Sequence, residues 1–264
     1  MTTRRTRLFA LIAALALAAT GCGGGGGEDD ASAETTQSTP PTTTTVPAPT
    51  TTPAPPPVSP LTGLPTDPAS LGRPALAVKI DNIGRAHPQV GINQADVVYE
   101  ELVEGSITRL MAIFQSTDSA PIGPVRSARP TDVPLFTPLN RPLFAWSGAS
   151  AWVADLVHNA NIVDVGHSPA VDQYYRDRGR RGPHDLFIQG YLAMLAAHQA
   201  DAGAPPALFA FRAPTAPLGA NARPVASVNI VFGGQRGSAP VDFVWDPAVG
   251  GWVRFQTGAA HVDT

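Results

Sequence analysis

The chain has one cysteine in 264 residues. Without a second thiol no intramolecular disulfide can form, so an exported fold would be held by its core alone. Lysine is almost missing too: Lys79 is the only one, and arginine carries the remaining basic charge, which a codon bias toward GC explains. Positive charge is scarce overall. Arg4, Arg5 and Arg7 lie ahead of an apolar leader, and removing those three leaves 15 basic against 21 acidic side chains, a net charge near −6. That balance provides no electrostatic reason to expect a nucleic-acid partner. No apolar run approaches the roughly 20 residues needed to span a bilayer, which excludes a permanent transmembrane helix. The histidines, His87, His158, His167, His184, His198 and His261, form no HExxH, and no CxxC exists. A zinc site is therefore not expected, and no metal or cofactor motif is read.

What is present begins at the amino terminus. The basic Arg4, Arg5 and Arg7 are followed by the apolar stretch Leu8 to Ala19 and by Ala19-Thr20-Gly21-Cys22. This order is that of a lipoprotein signal peptide, residues 1–22, ending at a lipobox in which Cys22 receives the lipid. Ala19 stands where leucine is usual. Two acyl chains suffice for stable attachment, so Cys22 is the predicted membrane anchor. Arg4-Arg5 hints at twin-arginine export, but Arg7 occupies a position that motif keeps apolar. Residues 23–58 then read as a tether, glycine-rich at first and Thr/Pro-rich afterwards. It buries too little apolar surface to offset the entropy of ordering. In polyproline II conformation Ala31 to Pro57 would reach roughly 80 Å. Its threonines and prolines also resemble a glycosylated stalk, with a plain spacer as the alternative.

The remaining chain, with many of its 28 prolines and 25 glycines, is expected to fold as a mixed α/β domain over 59–205 and a small, incomplete β unit over 206–264. Ala75 to Ile80 suits a buried strand. Val97 to Glu104 and Ile107 to Gln115 form a predicted hairpin, with Gly105-Ser106 as a type II′ turn. That register sets Glu104 opposite Ile107 and Leu102 opposite Arg109, so that Glu100, Glu104 and Arg109 share a face. Leu143 to Trp146 is a fourth strand. It leads into a helix capped by Ser150, whose apolar spacing is carried by Trp152, Val153, Leu156 and Val157. A second helix is predicted over Leu186 to Ala202, with Leu192, Leu195 and Ala196 inward. Strands follow at Val225 to Phe232, Val241 to Trp245 and Gly251 to Gln256.

Several segments together resemble a known family. Pro60-Leu61-Thr62-Gly63-Leu64, Lys79-Ile80-Asp81-Asn82, Gln94 to Glu100, Glu104-Gly105, Gly123 to Pro130 and Pro183-His184-Asp185-Leu186 are similar to the YerB-like bacterial lipoproteins. That family is a domain of unknown function with an N-terminal and a C-terminal part. The resemblance implies an exported address and no reaction. It also implies a C-terminal part that continues past the position of Thr264.

Candidate functional residues follow from residue chemistry. Arg126 and Arg129 flank two small residues in a Gly/Pro-framed loop, an arrangement suited to presenting guanidinium forks to a carboxylate or phosphate. The competing reading pairs them internally with Glu100, Glu104 or Asp96. Asp81, Glu100 and Glu104 form a carboxylate group that could serve acid–base chemistry on a glycan, or simply answer Arg109 on a solvated face. His184 beside Asp185 is a candidate acid or base, and equally a loop brace. Gly148-Ala149-Ser150-Ala151-Trp152 lacks the last glycine of a nucleophile elbow. The expected function is a non-catalytic cell-envelope module that binds an anionic cell-wall or peptide ligand through Arg126 and Arg129. The alternatives are an envelope hydrolase or transferase using Glu100 or Glu104 with His184, and a scaffold docking another envelope protein.

Anchoring is directly testable. Cys22→Ala should leave the protein unprocessed or release it from membranes; fractionation showing normal processing and unchanged membrane association would refute the lipid anchor.

Overall fold

A computed structural model describes residues 56–213, 215–234 and 237–263. The predicted signal peptide with Cys22, and all but the end of the predicted tether, lie outside them. The described residues fall within one unit, Pro53–Thr264.

Strand β1, Leu76–Asp81, is buried along its whole length. This accounts for its unbroken apolar character, since a strand covered on both faces shows no alternation. β2, Val97–Val103, and β3, Ile107–Phe114, form the expected hairpin. The short helix α1, Asp132–Phe136, precedes β4, Leu143–Ala145, which leads into α2, Ala151–His158, and β5, Val163–Asp164. The five strands lie in the order β2-β3-β1-β4-β5. β1 pairs antiparallel with β3 and parallel with β4, and β4 pairs parallel with β5. Two apolar cores cover the sheet. One joins Leu76, Val78 and Ile80 to Leu110 and Phe114, and the other joins Ala77 to Met111, Ile113, Phe136, Phe144, Val153 and Val157.

Three local expectations are corrected. The hairpin turn is a three-residue loop, Glu104–Ser106, with Gly105 at φ 76° and Ser106 at φ 57°. Pairing therefore runs Val103 to Ile107 and Glu101 to Arg109, one residue away from the predicted register. A one-residue slip exchanges faces, so Glu101 shares a face with Arg109 and Glu100 points to the other side.

On α2, Val153 and Val157 are buried, whereas Trp152 and Leu156 are 60% and 41% exposed. The apolar stripe is thus half as wide as expected. Ser150 does sit at the N-cap, but its backbone carbonyl, not its hydroxyl, accepts from Val153 and Ala154.

Leu186 to Ile188 is not helical. It forms β7, which pairs antiparallel with β6, Tyr174–Arg176, and hydrogen-bonds to Ile122 and Val125. The helix α3 covers Tyr191–His198 only, after Gly190 at φ 152°. A Cβ on Gly190 would lie 2.6 Å from the Ala120 Cβ and 2.7 Å from the Ser119 carbonyl, so the chain must turn there on a glycine. With this later start the inner face is Tyr191, Met194 and Leu195, while Leu192 and Ala196 are exposed. The Tyr191 hydroxyl spans to the Pro74 and Gln115 carbonyls at 3.0 and 3.2 Å.

The C-terminal strands are β8, Ser227–Gly234, β9, Gly237–Asp246, β10, Gly251–Gln256, and β11, Ala259–Ala260. They make a separate antiparallel sheet in the order β11-β10-β9-β8. It touches the first sheet through polar side chains: Arg254 Nη2 reaches Glu100 Oε1 at 2.7 Å, and Gln256 Nε2 donates to the Asn82 carbonyl at 2.9 Å.

Gly105→Val tests the hairpin loop. A Cβ there meets nothing within 4 Å, so the whole cost is that of a β-branched residue at positive φ, about 1–3 kcal/mol. Chemical denaturation should show that loss, and an unchanged midpoint would contradict the loop conformation.

Candidate functional site

The predicted arginine loop is built into the sheet. Past Val78 the pairing of β1 with β4 ends, and residues 124–126 take over the edge. Asp81 donates its backbone N–H to Pro124, and Arg126 donates to Lys79, at 2.9 and 2.8 Å. Outward, Ser147 donates to the Arg126 carbonyl and Ala128 to the Gly148 carbonyl, both at 3.0 Å. The loop is thus wedged between the carboxyl end of β1 and the segment leaving β4.

Asp81 is the hub of this corner and is 2% exposed. Its Oδ2 lies 2.7 Å from His184 Nδ1, which donates to it, and 2.8 Å from Arg126 Nε. The Arg126 contact is an ion pair and not an aligned hydrogen bond, because Nε remains without a hydrogen-bond partner. Among the described residues the terminal nitrogens of Arg126 donate no hydrogen bond either. Directly opposite Asp81 in the ladder stands Arg109, which is 6% exposed and donates from Nη1 to the Ser127 carbonyl at 2.6 Å. Burial, and then the neighbouring charges of Arg129 and Arg126, hold its guanidinium down to about 10, with Asp81 and Glu104 opposing. Its Nε is buried and unpartnered.

Arg129 donates from Nε to Glu104 Oε2 at 2.7 Å and from Nη1 to the Ala128 carbonyl at 2.8 Å. The Glu104 side chain is 72% exposed, so this pair is worth little to stability. Partial burial works to raise the Glu104 carboxyl, but hydrogen bonding from Arg129 and from its own backbone, with the charges of Arg129 and Arg109, leaves it below the ordinary range. Both arginines therefore have internal carboxylate partners, Asp81 and Glu104, of which only Glu104 was among the partners weighed from sequence.

Beneath them lies Lys79, fully buried, its Nζ 2.7 Å from Glu101 Oε1 and 2.6 Å from Asp132 Oδ1. Asp132 also accepts from the Arg129 backbone N–H at 2.7 Å, which ties the loop to the lysine. Burial raises the Asp132 carboxyl, Lys79 opposes, and Glu101 adds to the rise. Glu101 Oε2 has no hydrogen-bond partner. Three unsatisfied buried atoms, Glu101 Oε2, Arg109 Nε and Arg126 Nε, thus gather in one corner of the fold, and such groups call for an explanation such as water or a bound ion.

The structure does not bring Glu100 or Glu104 to His184, as the acid–base alternative required. His184 meets Asp81. Glu100 belongs to a different network on the opposite face of the sheet. Its Oε1 accepts from Thr108 and from Arg254 at 2.7 Å each, and from Asn82 at 3.3 Å. Arg254 Nη1 meets His261 Nδ1 at 2.9 Å, while His261 Nε2 lies 2.6 Å from Gln89 Oε1. With Arg254 as donor, His261 carries its proton on Nε2. Burial, then Arg254, then His87 push His261 down to about 4. Sequence reasoning missed Lys79, Arg254 and His261. For Lys79 the available signal was a charged residue inside an apolar strand; Arg254 and His261 are 154 and 172 residues from their partners and left no local signal.

Comparison with known proteins gives a consistent picture. A family model described as "Protein of unknown function (DUF3048) N-terminal domain" matches residues 61–204. Over 71 residues the chain is 51% identical to "Putative lipoprotein YerB" of Bacillus subtilis (strain 168), a stretch covering 27% of this chain and 22% of that relative. The match thus spans about a fifth of the curated relative's length. The crystal structure of YerB protein from Bacillus subtilis aligns with a TM-score of 0.64 at 26% identity, over 78% of this chain and 69% of that one.

The Glu100–Arg254–His261 network makes stability depend on pH with a definite sign. The unfolded His261 protonates near 6.5, while the folded one resists until about 4. Between these values the unfolded state binds the extra proton, so this histidine makes stability fall as pH falls. Relative to His261→Gln, the wild type should lose about 1 kcal/mol more between pH 7 and 5, allowing for solvent screening of a half-buried ring. Equal pH slopes in denaturation would refute the assignment.

Proposed function

Because the chain belongs to the DUF3048 family, for which no activity is described, we propose its function from the geometry at the end of β1: a membrane-anchored, extracytoplasmic module that binds an anionic ligand of the cell envelope. The proposed anchor is Cys22 and the proposed ligand contacts are Arg126 and Arg129, supported by Arg109. One observation carries the reading: Arg126 is held through Nε on buried Asp81 while its terminal nitrogens stay uncommitted among the described residues. A guanidinium anchored in this way keeps its outer fork free for a carboxylate or phosphate. Arg129 is also held through Nε, on Glu104, whose exposed carboxylate an incoming anion can displace; its Nη1 is taken by the Ala128 carbonyl, which leaves Nη2 for the ligand. The unpartnered Nε of buried Arg109 adds a further donor to the same corner.

A specific observation also favours a second reading, an envelope hydrolase or transferase. Asp81 orients His184 through Nδ1 at 2.7 Å, which leaves Nε2 as the proton acceptor of the ring. In that reading Asp81 replaces Glu100 and Glu104 as the partner of His184, and the arginines hold the anionic part of the substrate.

Two single variants separate ligand binding from a structural role. Arg129→Gln should change stability by no more than about 0.5 kcal/mol. Arg126→Gln should cost about 1–3 kcal/mol, since buried Asp81 loses a cation yet keeps His184. Both should weaken binding of inorganic phosphate to the full-length protein in calorimetry. Wild-type protein that binds no anion, with both variants strongly destabilised, would assign the loop a structural role only.

A further inference from the structure

β4 and β5 run parallel, and in open sheets with parallel strands ligands bind beyond the carboxyl ends of the strands. A cleft of about 390 Å³ opens at that place, between the segments that follow the two strands. This volume lies within the range of small-ligand sites. Its lining includes Trp146, Ser147, Asp164, His167 and Ser168. Asp164 is fixed in the cleft by its neighbours: Oδ1 accepts from the Trp146 indole at 2.7 Å and from the Gly166 N–H at 2.9 Å, and Oδ2 lies 3.3 Å from His158 Nε2. The hydroxyls of Ser147 and Ser168 and both ring nitrogens of His167 make no hydrogen bond among the described residues. His167 is nevertheless held in place, edge-on against Tyr174 with ring centroids 5.3 Å apart.

The chemistry of this lining is selective. Two hydroxyls and an imidazole offer donors and acceptors together, as a polyhydroxylated ring requires. The Asp164 carboxylate, a quarter exposed, repels an anion placed inside the cleft. The arginine loop, however, is joined directly to the rim, since Ser147 donates to the Arg126 carbonyl and Gly148 accepts from Ala128. We infer that the cleft is the sugar subsite of a composite site: it holds the hydroxylated ring of an acidic sugar, whose carboxylate or phosphate lies on Arg126 and Arg129. This rests on the anionic-ligand reading and narrows it to one ligand class.

The test compares glucose 6-phosphate with inorganic phosphate on the full-length protein by calorimetry, with glucuronic acid as the carboxylate counterpart. Glucose 6-phosphate should bind at least about tenfold more tightly than inorganic phosphate. His167→Phe, which keeps the ring contact with Tyr174, and Ser168→Val should each reduce that advantage while leaving phosphate affinity and melting temperature unchanged. Equal affinity for the sugar phosphate and phosphate would overturn the sugar subsite and leave the anion site standing. An advantage that survives both substitutions would also overturn it, by placing the sugar elsewhere. Failure of the full-length protein to bind phosphate, glucose 6-phosphate or glucuronic acid would overturn the anion reading and the subsite together.

Discussion

Burying charge at the end of β1 is the constraint on which the rest of this structure depends. The strand is covered on both faces, yet it carries Lys79 at 0% and Asp81 at 2% exposure. An isolated buried charge costs several kcal/mol, so each must find opposite charge inside the protein. Lys79 takes Glu101 from β2 and Asp132 from the start of α1. Asp81 takes Arg126 from the loop wedged beside it and His184 from the approach to β7. Four remote pieces of chain are thereby held at one point by electrostatics, and each is also hydrogen-bonded through its backbone nearby.

Such a corner is expensive as pure architecture. Apolar side chains of similar volume would often hold a core as well or better than a buried ion network. The unsatisfied Nε atoms of Arg109 and Arg126 and the unsatisfied Glu101 Oε2 make the arrangement poorer still as a structural device. Under the proposed anionic-ligand reading, the ligand completes the hydrogen bonding of this corner through the terminal nitrogens of Arg126, whereas Arg109 and Arg129 already spend Nη1 on backbone carbonyls. The same sheet solves a different problem on its other face. There Glu100, Arg254 and His261 are mutually satisfied through Asn82, Gln89 and Thr108, and the network holds the second sheet against the first.

Much of the scaffold was legible in the residues because it follows from local rules. β1 to β4, α2 and the C-terminal strands match apolar runs bounded by turn formers, and the arginine loop was readable from its Gly/Pro frame. The errors have particular physical causes. Gly105 signals a turn, but it does not distinguish a two-residue turn from a three-residue loop, and that one residue decided whether Glu100 or Glu101 faces Arg109. Leu186 to Ile188 and the helix after it are both apolar. Only the backbone bonds to Ile122 and Val125, and the close approach at Gly190, separate strand from helix. The scarcity of lysine reads as codon usage and gave Lys79 no role, whereas Lys79 and its partner Asp132 are both fully buried.

The sequence alone determined the class of the fold and that Arg126 and Arg129 stand in a Gly/Pro-framed turn, which depend on composition and short-range pattern, and it carried the motifs whose resemblance points to the family. Tertiary structure decided which carboxylate each arginine meets, that His184 pairs with Asp81 and not with a glutamate, and that Arg254 closes the network around Glu100. Those contacts join residues between 25 and 154 positions apart. No local preference encodes them; they arise because buried charges must be neutralised wherever the folded chain brings an opposite charge within reach.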